Sequence, residues 1–146
     1  MAQDFKKVYK SQVTDSAGTL LTADSNDALI GIRLTNITTS AITVDVWFDV
    51  AGAGSTASIV YIADDLSIAP KSSVELIQGG AKMVMQSTDE LHAQASAADS
   101  CAIWVSYVDA ISSQGGIIWL KRKTKMVLYI LVKKVPKMVS LPIKSL

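Results

Sequence analysis

Three pairs of neighbouring carboxylates, Asp24/Asp27, Asp45/Asp49 and Asp64/Asp65, stand in this sequence beside a single histidine, His92, and a single cysteine, Cys101. Those are the side chains whose types could carry chemistry. Paired carboxylates serve general acid/base work or calcium, which takes roughly six to eight oxygen ligands. The first or third pair would suit calcium in a β-sandwich loop, with backbone carbonyls completing the shell. The alternating acidic spacing of a dedicated calcium loop is missing, so solvated turn acids and no metal site are expected. His92 shares parity with Gln94 and Ser96 rather than with Leu91 and Ala93, which predicts a solvent-facing ring. A catalytic imidazole needs a positioned nucleophile and an orienting acid, and the sequence singles out neither. Cys101 shares parity with Ile103 and Val105 and reads as a buried small hydrophobe. One cysteine makes no internal disulfide and cannot hold zinc alone. Gly52/Gly54 and Gly79/Gly80 lack the strand–helix context and the following Lys-Ser/Thr of a phosphate loop. The expectation is a chain with no catalytic residue, no cofactor and no enzymatic activity.

Trp47, Trp104 and Arg33 point elsewhere. Both tryptophans fall on strand faces opposite the predicted core, and aromatic and arginine side chains are enriched at interface cores. They are the candidate contact residues for a neighbouring subunit, with a sugar-stacking platform as the competing use.

The elements that must position them read as strands. In ALIGIRLTNITTSAITVDVWFDV (28–50), Ile30, Ile32 and Leu34 alternate with Gly31, Arg33 and Thr35. Ile42, Val44, Val46, Phe48 and Val50 then alternate with Thr43, Asp45, Trp47 and Asp49. Period-two alternation predicts half-buried strands, here two antiparallel ones bridged by Asn36–Ser40 and forming one wall of the core. Further strands are expected over 4–13, 19–23, 59–62, 91–95 and 101–111. Two more flank Gly79-Gly80, a two-residue hairpin signal because both glycines accept positive φ. Asp64-Asp65 is read as the end of the 59–62 strand, and 51–57 as a flexible loop. The Asn36-Ile37-Thr38 sequon is read as a turn. About eight strands at this spacing predict an all-β fold, an antiparallel β-sandwich of jelly-roll or immunoglobulin-like type.

The 146 residues carry 49% apolar side chains, enough for one cored domain. The near-neutral charge hides a division. Through Ser112, six basic residues face all 13 acids, whereas 113–146 hold eight basic residues and no acid. The reading is a domain at 1–112 and a basic apolar C-terminal tail at 113–146. The opening MAQDFKKVYK lacks the apolar run of a secretory signal, so a reducing cytoplasm is the expected site of synthesis. The tail's apolar runs, Ile117–Leu120 and Met126–Val132, fall far short of the ~20 residues of a membrane span. An added strand or hairpin, or a basic arm touching nucleic acid or an anionic membrane, both suit its composition. Lys-Met-Val occurs at 125–127 and again at 137–139. Shifted by two nucleotides, its codons must encode Asn-Gly or Asp-Gly, so the tail also fits a frame-shifted extension of a longer β-protein. Sequencing the gene tests this, and a stop codon soon after the shift would end it.

The stretches MAQDFKKVYKSQV, ALIGIRLTNITTSAITVDVWF and VYIADDLSIAPKSSVELIQGGAKMVMQSTDELHAQASAADSCAIWVSYVDAI together resemble small β-sandwich virion proteins of tailed phages, marine and cyanobacterial ones above all. The resemblance covers residues 1–111 and is one of overall pattern. Such proteins, when longer, continue in polar Asp-Gly-rich segments, from which the tail departs. The resemblance implies a structural part of a particle assembled in the host cytoplasm: neck, tail, fibre or capsid decoration. Its partners would be other virion proteins and copies of itself, with no small-molecule substrate. The alternative is a receptor- or glycan-binding module using Trp47, Trp104 and the 51–57 loop.

Overall fold

Alternating apolar and polar side chains build nine strands between Asp4 and Asp109, in a computed structural model that describes residues 3–111. They are β1 (Asp4–Val13), β2 (Gly18–Thr22), β3 (Asp27–Asn36), β4 (Ile42–Asp49), β5 (Ile59–Ile68), β6 (Ser73–Glu75), β7 (Met83–Met85), β8 (Glu90–Ala95) and β9 (Cys101–Asp109). A single 3-10 turn, Val50–Gly52, follows β4. The expectations placed on residues 113–146 lie outside the described residues.

The strands form two antiparallel sheets. One runs β1-β9-β3-β6, with β7 also on β3, and the other runs β2-β8-β4-β5. The pairing is that of a long antiparallel ribbon rolled on itself: β1 with β9, β2 with β8, β3 with β6 and β7, and β4 with β5. Pairing of β3 with β9 and of β4 with β8 then closes each sheet. This nesting makes the sandwich a jelly roll, with β6 and β7 sharing the place of one strand.

The inner faces meet in one core. Leu29, Ile32 and Leu34 of β3 and Ile103 and Val105 of β9 come from the first sheet. Val44 and Val46 of β4 and Leu91, Ala93 and Ala95 of β8 come from the second. Each large aliphatic residue so buried contributes about 1.5–3 kcal/mol. Cys101 belongs to the same core, as its parity requires.

The 28–50 segment is not a hairpin. Its two halves, β3 and β4, belong to different sheets and face each other across the core. Asn36 makes the crossing and is fully buried. Its Nδ2 donates to the carbonyls of Ser40 (2.7 Å) and Ile68 (3.0 Å), and its Oδ1 accepts from the Thr38 N–H and hydroxyl, both 2.8 Å. An amide so engaged ties the corner of both sheets and is not presented as a glycan acceptor. The alternation in β3 also slips once. A bulge between Leu29 and Gly31 turns Leu29 inward and takes Ile30 out of the core, where the sequence had placed it.

Gly79-Gly80 is likewise no two-residue hairpin turn. β6 lies against Arg33–Thr35 and β7 against Asp27–Leu29, so both follow the same edge of β3 with a loop between them. Strand β5 continues through Asp64-Asp65 instead of ending there. Asp65 takes φ +51° inside a bulge, and its N–H donates to Asp45 Oδ1 at 2.7 Å. Bulged and interrupted edges resist unwanted pairing, and among the described residues β1, regular in register from Asp4 to Lys10 before its own irregularity, is the longest edge of its sheet.

Candidate functional site

The outer face of the β1–β9–β3–β6 sheet carries the most exposed aromatic array among the described residues. Phe5 and Tyr9 project from β1 and Trp104 from β9, with relative exposures of 79%, 58% and 45%. Strand register places them together, because Tyr9 lies opposite Trp104 and Trp104 opposite Arg33. The Tyr9 and Trp104 rings stack at 5.5 Å between centroids and 18° between planes. Lys7 Nζ stands 5.0 Å from the Trp104 ring centre and 6.0 Å from that of Tyr9, within cation–π range. On the far side, Arg33 Nε pairs with Glu75 Oε1 at 3.3 Å. Glu75 Oε2 accepts the Ile32 N–H at 2.9 Å, close to where β6 ends. The guanidinium is therefore positioned by a carboxylate that is itself tied to the sheet.

Two hollows flank the stack. One of about 150 Å³ is lined by Tyr9, Arg33, Thr35 and Trp104 among others. A wider one of about 480 Å³ lies among Phe5, Lys6, Lys7, Ile30 and Ser106. Trp104 and Arg33 are thus brought together, as side chains of one sheet face.

Trp47 is not part of this surface. It lies on the outer side of the other sheet, as its parity predicts, yet only 7% of it is exposed. Tyr61 and His92, its neighbours in register on β5 and β8, cover it. The Tyr61 ring sits at 5.6 Å and 44°, and the His92 ring at 5.4 Å and 7°. His92 is accordingly half-buried rather than solvent-facing. Since Trp47 and Trp104 occupy opposite outer faces, no single platform contains both. The 51–57 loop lies beside the Trp47 sheet and is tied down: the Ala51 N–H donates to Asp89 Oδ1 (2.8 Å) and the Gly54 N–H to Asp49 Oδ2 (2.9 Å).

The chain matches no family model, no curated protein and no solved structure.

Two groupings of ionisable side chains were hidden in the sequence because their members are far apart along it. Asp24, Asp27 and Asp109 converge at one end of the first sheet. The Ser25 hydroxyl donates to Asp27 Oδ1 (2.9 Å) and Asp109 Oδ1 (3.0 Å), and Lys6 Nζ pairs with Asp109 Oδ2 at 2.6 Å. Burial raises the Asp27 pKa, whereas the hydrogen bond from Lys6 lowers that of Asp109 and raises that of Lys6. Asp49, Glu90 and His92 meet on the outer face of the second sheet. There Glu90 Oε1 lies 2.9 Å from His92 Nε2, and Thr19 Oγ1 lies 3.5 Å from His92 Nδ1. A hydroxyl, imidazole and carboxylate in line suggest nucleophilic catalysis, which needs the hydroxyl within about 2.6–3.2 Å of the imidazole. Cys101 is buried and its thiol pKa is pushed up by that burial, which makes it a poor nucleophile.

Proposed function

We propose that this chain is a structural subunit of a phage particle, in the neck, tail, fibre or capsid decoration, acting through contacts rather than catalysis. The observation that carries the contact role is the Phe5–Tyr9–Trp104 array, held on one sheet face between Lys7 and Arg33. Large, rigid aromatic side chains rimmed by cations are the composition of an interface hot spot. The partner is another copy of the chain or another virion protein. The particle setting rests on the resemblance of residues 1–111. Jelly rolls recur in viral capsids, and that analogy of fold agrees with it.

Mass spectrometry of purified particles, with copy number, tests the setting, and absence of the chain from them would overturn it. Sedimentation of the full chain over a range of concentrations tests the contact, and association that ignores Tyr9 and Trp104 would overturn that part.

A second reading has its own support. The stacked Tyr9–Trp104 pair beside a hollow of about 150 Å³ also suits a sugar ring, and jelly rolls recur in lectins. Glycan binding by the monomer, lost in Trp104→Thr, would favour this use. Stable self-association without a glycan ligand would favour assembly.

A further inference from the structure

We propose that Asp49, Glu90 and His92 form a binding site for a divalent transition-metal ion of the zinc class on the outer face of the β2–β8–β4–β5 sheet. The site is separate from the aromatic face and does not rest on the function proposed above. One donor atom from each residue lies within 4.8 Å of the others. Asp49 at the end of β4 is opposite Glu90 in register, and His92 follows two residues along β8 on the same face. The donors therefore come from paired strands, which hold geometry better than loops do.

The surroundings are those of a built site. Asp49 is buried, and its carboxylate accepts from the Ser58 hydroxyl (2.6 Å) and the Gly54 N–H (2.9 Å). Such bonds orient a ligating carboxylate and leave it lone pairs for an ion. The His92 ring is held flat against Trp47, with the Thr19 hydroxyl near Nδ1. With its proton on Nδ1 the ring would offer the Nε2 lone pair to an ion, which would replace the direct 2.9 Å contact between Nε2 and Glu90 Oε1. Gly52 passes beside the site at φ +56°, where a Cβ would stand 3.1 Å from Glu90 Oε2, so the loop keeps side-chain atoms off that oxygen.

Charge and distance choose the ion. The lysine and arginine ion pairs among the described residues are Lys6–Asp109 and Arg33–Glu75. No lysine or arginine thus serves Asp49 or Glu90, whereas Lys6 already serves the Asp24/Asp27/Asp109 group. An imidazole beside two carboxylates favours zinc-class ions over calcium or magnesium. Two donors, each about 2.1 Å from one ion and at right angles, stand about 3 Å apart. The Glu90–His92 separation is 2.9 Å, which suits a five- or six-coordinate ion with water completing the shell. The bound ion would pin β4 to β8 and secure the 50–58 loop.

The test uses the untagged full chain. Calorimetric titration with Zn²⁺ should show one ion per chain and a raised melting temperature, with Ca²⁺ binding far more weakly. Glu90→Gln and His92→Gln should each weaken Zn²⁺ binding about tenfold or more while keeping the far-UV spectrum. The chain has one histidine, so its imidazole NMR signals need no assignment and should shift with Zn²⁺ and broaden with Co²⁺ in the unaltered protein. Absence of Zn²⁺ binding at millimolar ion, unmoved imidazole signals, unchanged affinity in both variants, or a preference for Ca²⁺ would each overturn the proposal.

Discussion

Replacing Trp104 with threonine separates the contact role proposed for the aromatic face from its structural role. Threonine keeps the β-propensity that β9 needs and removes the indole from the stack with Tyr9. A tryptophan has up to about 250 Å² of surface to bury, and 45% of Trp104 is exposed. An interface that covers it therefore buries roughly 110 Å² more, worth about 3 kcal/mol at about 25 cal/mol per Å². Since about 1.4 kcal/mol is tenfold, the association constant should fall roughly a hundredfold. Sedimentation velocity over a concentration series measures it, with thermal melts as the folding control. Trp47→Phe supplies the contrast: that side chain lies beneath Tyr61 and His92, so the change should lower the melting temperature and leave association intact. Trp104→Thr associating within threefold of the unaltered chain, at an unchanged melting temperature, would refute the assignment of this face.

Asn36→Ala should cost about 1–3 kcal/mol, because it strands the buried Ile68 carbonyl that Nδ2 serves and takes the Oδ1 acceptor from the Thr38 N–H and hydroxyl at the corner. Urea unfolding would read this as a large fall in midpoint. Asp27→Asn should stabilise the chain at neutral pH. Its pKa is raised by burial, so the folded state favours the protonated form and bears a cost when the group ionises. The gain should shrink as pH falls through that raised pKa, where the natural side chain becomes neutral too; denaturant midpoints in a pH series check the sign. Cys101 should resist thiol reagents in the native state and react on unfolding, because it is buried and its thiol pKa is raised. Fast native labelling at neutral pH would contradict that.

Strand positions were legible where alternation was long and regular, as in β4 and β9, whose inner residues Val44, Val46, Ile103 and Val105 are all buried. Pairing was not. Alternation states which face a residue takes, not which strand lies beside it. The short span between Asn36 and Ile42 therefore looked like a hairpin although it crosses between sheets. The same limit hid the cover over Trp47: Tyr61 and His92 reach it through register with β5 and β8, which no local pattern reveals. Trp104 and Arg33 were legible as surface residues, yet their juxtaposition with Tyr9, Lys7 and Glu75 needed the sheet order. Ile30 was misplaced because one bulge reverses parity, and a bulge leaves little trace in composition.

The rolled ribbon also sets an order of events during synthesis. Among the described residues, strand β1 pairs in its sheet with β9 alone, and β2 in its own with β8 alone. The first strands made thus wait for the last, while β4 and β5 are close enough in sequence to pair early. Contacts of such wide sequence separation fold slowly, and until Cys101–Asp109 leaves the ribosome, β1, with its exposed Phe5 and Tyr9, lacks the β9 ladder. A nascent chain truncated before β9 should therefore be aggregation-prone and chaperone-dependent. The side chains proposed to hold neighbours together are thus ones that stay uncovered through most of synthesis.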